Sequence, residues 1–186
     1  MVEEKEATAR AADSLRDRGS PGVRLVSGIT AGIVGGILMI GFLMTYASLT
    51  GAGLTTPLKA VGALVYGVEA LVAGPVAILT GASIQLGLAI VLGILFALCV
   101  TRRTSTVSAL FAGIAIGIAV WLLMDLVVLP LANPTMAARV ALIPLAYFIA
   151  HLLYGLGLST TPIFIRTFGK ERRHHRGVRD EQAHAI

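Results

Sequence analysis

Six side chains able to exchange protons, hydrogen bonds or ligands stand in or beside apolar stretches of this chain: Glu69, Gln85, Asp125, Tyr147, His151 and Tyr154. Tyr147, His151 and Tyr154 are spaced by four and three residues, which places all three on one face of a helix. A polar strip of that kind turns away from lipid. Three readings follow for His151: a packing histidine hydrogen-bonded across to Gln85, a titrating group for proton movement, or a contact for quinone or five-coordinate haem. A bis-histidine haem site is disfavoured, because His174, His175 and His184 all fall in the tail. Asp125 sits about one turn from the end of its apolar run. It reads either as a proton acceptor or cation ligand in an outward-facing cavity, or as a carboxylate at the headgroups, paired with Arg139 or capping a loop helix. Glu69 would join Asp125 and His151 in an outer vestibule, or simply mark the wet edge of an amphipathic helix near Lys59.

Reactive constellations of other kinds are missing. There is no phosphate-binding loop with its lysine, no His-Glu-x-x-His, no nucleophile elbow and no pair of intramembrane acids at hydrolytic spacing. A non-enzymatic protein without metal or cofactor is therefore expected. Cys99 is the one cysteine, so no disulfide forms within the chain and no cysteine zinc site exists. Its thiol reads as a small apolar filler in a span.

Four apolar runs must position these groups: residues 23–48, 75–100, 107–129 and 144–168, each long enough to cross a bilayer as a helix. The fold class is an all-α integral membrane protein, with one four-helix domain over 23–168, a charged arm at 1–22 and a basic tail at 169–186. The segment 57–73 is too polar at one edge to span and too apolar to be free in water, so an interfacial or re-entrant helix is expected between the first two spans. Asn133-Pro134 announces a shorter helix of the same kind, opened by an asparagine cap.

Of the fifteen lysines and arginines, only Lys59 and Arg139 lie outside the arm and its junction with the first span at Arg24, the Arg102–Arg103 loop and the tail with its approach. The positive-inside rule then puts both termini in the cytoplasm of a multi-pass protein, with a bacterial inner membrane the best fit. The net charge of +5 belongs to this asymmetry. Arg102, Arg103, Arg166, Lys170, Arg172, Arg173 and Arg176 are expected at anionic lipid headgroups, and no nucleic acid is implied.

Gly28, Gly32 and Gly36 repeat at four-residue spacing in the first span, and Ala109, Gly113 and Gly117 do so in the third. Such stripes let helix backbones approach closely, within one chain or between copies. A proline loop follows each of these spans, and each leads to a span with a polar residue in its middle, Gln85 or His151. The order reads as a tandem repeat of a two-helix hairpin, with the extra 57–73 helix in the first copy.

Ala31-Gly32 and Ala112-Gly113, the two proline loops and the stretch Ala150-His151-Leu152-Leu153-Tyr154-Gly155 together resemble the small four-helix inner-membrane proteins of the YagU-like kind, over most of residues 25–168. The resemblance implies a fold and no defined activity. Gln85 stands where it leads one to expect a histidine, which removes half of any histidine pair. The leading expectation is a structural or accessory component, self-associated or bound to other membrane subunits. A small proton-conducting protein or transporter using Asp125, His151 and Glu69 comes second, and quinone or haem binding at His151 third.

Overall fold

The computed structural model describes residues 20–72 and 74–170; the arm before Ser20 and the tail with Arg172, Arg173 and Arg176 lie outside the described residues. No strand occurs among the described residues. Among the described residues, four helices are long and apolar enough to cross a membrane: α1 (Pro21–Leu49), α3 (Pro75–Cys99), α4 (Thr106–Ala132) and α6 (Pro144–Lys170). Two shorter ones, α2 (Thr56–Tyr66) and α5 (Pro134–Val140), sit in the connections at the end of the spans away from Arg24 and Arg102. Their starts follow the usual chemistry. Ser20 and Ser105 accept from the Val23 and Ser108 amides, and Asn133 Oδ1 accepts from Met136, as expected of an asparagine cap.

The segment expected as one helix over 57–73 is shorter than that. α2 ends at Tyr66 and a 3₁₀ turn takes over at Gly67–Leu71. Gly67 has φ +65, a conformation that ends a helix and suits a residue without Cβ. α2 lies along α3, where Gly62 meets the Ala77 carbonyl and Gly81 meets that of Leu58.

The glycine stripes act within each hairpin. A Cβ on Gly28 would lie 2.7 Å from Ile94 Cα of α3, and one on Gly113 would lie 3.2 Å from the Ser159 nitrogen of α6. Ala109 belongs to the same buried stripe as Gly113 and Gly117. A third close crossing joins α1 to α6, with Gly157 against Gly35. Interfaces therefore run from α3 to α1, from α1 to α6 and from α6 to α4, and no comparable interface joins α3 to α4. The spans form a folded row. Its outer member α4 has 11% of its apolar stretch buried, against 56% for α6 in the middle. A tandem repeat would relate the α1–α6 interface to one between α3 and α4, so the duplication is not confirmed.

Two prolines shape the long helices. Pro130 cannot donate a hydrogen bond, and the turn before it widens into a π-helix at Met124–Val128, where Leu129 N–H bonds Met124 O. Pro162 leaves the Leu158 carbonyl without its usual donor, and the buried Thr161 hydroxyl takes it at 2.7 Å. The Ser159 and Thr160 hydroxyls also donate three residues back, to the Leu156 and Gly157 carbonyls, and Gly157 O accepts from the Thr160 amide as well.

Candidate functional site

His151 is buried at 3% exposure in the middle of α6. Its Nδ1 lies 2.8 Å from the Tyr147 carbonyl oxygen one turn earlier, and the two rings tilt against each other with centroids 6.1 Å apart. Nε2, on the opposite edge of the ring, bonds to no group among the described residues. On α3, Gln85 Nε2 donates to Met39 Sδ at 3.3 Å, so the hydrogen bond expected between Gln85 and His151 is not made. Tyr154 crosses from α6 to α3, its hydroxyl donating to Ala89 O at 2.9 Å.

These residues surround a cavity of about 90 Å³ in the fold of the row. Every element contributes: Met39 and Leu43 from α1, Ala60 and Leu64 from α2, Gln85 and Leu88 from α3, Met124 and Leu129 from α4, Met136 from α5, and Tyr147, His151 and Tyr154 from α6. Leu88 stands at the rim, 44% exposed, where α3 and α4 fail to meet. A second cavity of about 190 Å³ continues toward the far end, sharing Leu43, Pro57, Ala60, Met136 and Tyr147 with the first and adding Tyr46, Thr50, Thr56 and Arg139. Asn133 ties the roof together, its side-chain amide donating to Ala63 O of α2 at 3.1 Å.

The structure brings Gln85, Tyr147, His151 and Tyr154 together and leaves the two acids outside. Asp125 occupies the π-turn, half-buried, and lines neither cavity. It bonds neither Arg139 nor the start of α5, whose cap is Asn133. Glu69 is exposed in the 3₁₀ turn, and Lys59 donates to the Leu71 carbonyl at 3.4 Å rather than pairing with it. Glu69, Asp125 and His151 do not form one vestibule.

At the other end of the spans, basic side chains hold carbonyls. Arg24 donates to Ala97 O at 2.9 and 3.1 Å and also to Leu98 O, closing the last turn of α3 where free carbonyls favour a cation. Arg166 donates to Arg102 O at 3.2 Å and Thr104 O at 2.7 Å, which ties α6 to the α3–α4 loop. Arg103 and Lys170 are exposed, and Arg102 is partly buried. Cys99, expected as a packed filler, is exposed at the last residue of α3.

Sequence reasoning missed the apolar walls. Met39, Met124 and Met136 are three of five methionines in the chain, and all line the cavity. Thioether side chains adapt to irregular apolar guests, so their positions carried a signal. No group of three or more metal-ligating side chains forms among the described residues.

A family model described as "Family of unknown function (DUF6789)" matches residues 23–174. That agrees with the expectation of an uncharacterised family and supplies no specific link to the YagU-like proteins. Among curated proteins and among solved structures, none matches the chain.

Proposed function

The chain belongs to the DUF6789 family, whose function is unknown, and we propose that it is a non-enzymatic membrane component that holds a lipid-soluble ligand in the cavity beneath α2. The observation that carries this reading is the cavity itself. It is apolar on most walls, flexible through its methionines, and furnished with a few convergent polar groups at Gln85, Tyr147 and His151. Close-packed interiors leave few spaces of this size. The gap between α3 and α4 supplies an entry from the bilayer. Proton conduction through Glu69, Asp125 and His151 is less well supported, because those groups do not line one path. The outward face of α4 suits a second copy or another membrane subunit, in keeping with an accessory role. A bacterial inner membrane with both termini cytoplasmic remains the best reading of the charge asymmetry.

Extraction of the gently purified protein with organic solvent, followed by mass spectrometry, tests the proposal. A lipophilic molecule near one per chain is expected. Leu88→Trp, which adds volume at a rim position already 44% exposed, should reduce its yield several-fold while the protein remains folded. A wild type that yields only bulk lipid, in the proportions of its membrane, would overturn the reading. The same sample gives an absorption spectrum. His151 donates one nitrogen to a backbone carbonyl and leaves the other open, as metal-bound histidines do, so a Soret band would move the assignment to haem.

A further inference from the structure

If the cavity beneath α2 is a ligand site, as proposed above, its hydrogen-bonding edges also select the ligand's functional group. The Tyr147 carbonyl can only accept, so the 2.8 Å contact requires the proton on His151 Nδ1. A neutral imidazole protonated there has an unprotonated Nε2, which can only accept. On the facing wall, one N–H of the Gln85 amino group is spent on Met39 Sδ, which leaves that amide its carbonyl oxygen and its second N–H. The Tyr154 hydroxyl, the strongest alternative donor, is committed to Ala89 O. His151 Nε2 is thus the one edge restricted to accepting, while the Gln85 amide and the Tyr147 hydroxyl can take either role.

We propose that the cavity selects a phenol- or hydroquinone-type amphiphile, whose O–H donates to His151 Nε2, over its ether or its oxidised quinone. An aromatic head suits the walls as well, since Met39 and Met124 present sulfur and Tyr147 presents a ring. A quinone carbonyl or a methyl ether at the same place would set acceptor against acceptor and leave His151 Nε2 unsatisfied in an apolar pocket.

The test uses the purified full chain at about pH 8, where an unperturbed imidazole is neutral, with three probes: an alkyl hydroquinone under anaerobic reducing conditions, its dimethyl ether, and the matching benzoquinone. Binding is read from the ligand-dependent rise in thermal unfolding midpoint. The hydroquinone should bind about tenfold or more tightly than either other probe, the scale of one lost buried hydrogen bond. His151→Leu should bind the three alike through apolar contact. Should that variant fail to fold, His151→Phe, which keeps an aromatic ring without the accepting nitrogen, should in its place bind the three alike. Equal affinity of the wild type for all three probes, or tighter binding of the quinone, would overturn the selection and leave the cavity as a ligand site. Binding of none of them, together with extraction of bulk lipid only, would remove the site and the selection together.

Discussion

His151 and Tyr154 sit one turn apart on the same helix and do different work. Tyr154 is structural: its hydroxyl reaches across to a backbone carbonyl of α3 and is spent there. Tyr154→Phe should lower the unfolding free energy read from a denaturing-detergent titration by about 0.5–1.5 kcal/mol, the range for one hydrogen bond, and leave ligand selection untouched. An equal effect on ligand preference would mean that this hydroxyl faces the ligand. The polar members of the site were legible in the sequence because a glutamine or histidine inside an apolar run has no other economical place than the interior. Their partners were not. Whether Gln85 meets His151 or Met39 depends on the rotation of two helices that are far apart in sequence, and no local pattern encodes it. Asp125 shows the same limit: its depth was readable, and the π-turn that aims it aside came from Pro130 five residues later.

The apolar runs coincide with long helices. The expected 75–100 is Pro75–Cys99 and the expected 107–129 is the core of Thr106–Ala132, because hydrocarbon solvent penalises any other state for an apolar run of that length. The 57–73 helix was overextended, since its amphipathic pattern continues past Gly67 while its backbone turns there. The glycine stripes lie at close helix crossings, and their spacing was silent on which helix each face would meet. Those faces approach so closely that added volume has nowhere to go. Gly113→Ala, facing the Gly155 backbone, should destabilise the α4–α6 hairpin by about 1–3 kcal/mol, measured as a lower thermal midpoint in mild detergent. Gly41→Ala, with nothing within 4 Å of its added Cβ, should be neutral or slightly stabilising and serves as the control. Similar losses at both positions would mean that the close crossing is not formed.

At the scale of the molecule, the charge asymmetry and Cys99 can be tested together. The exposed thiol lies at the end of α3 that Arg24 closes, which the positive-inside rule assigns to the cytoplasm. A membrane-impermeant maleimide should label Cys99 in inverted vesicles and leave it unmodified in intact spheroplasts. The opposite pattern would reverse the orientation and with it the side on which α2 and α5 lie.

The missing α3–α4 interface has a thermodynamic consequence. A site reached through the side of the protein equilibrates with ligand dissolved in the membrane, so its occupancy follows mole fraction among lipids and not aqueous concentration. Dilution of the buffer leaves such a site filled, while added lipid empties it. A protein built this way responds to the composition of the bilayer around it, and two cells with equal total ligand but different membrane area would load it differently.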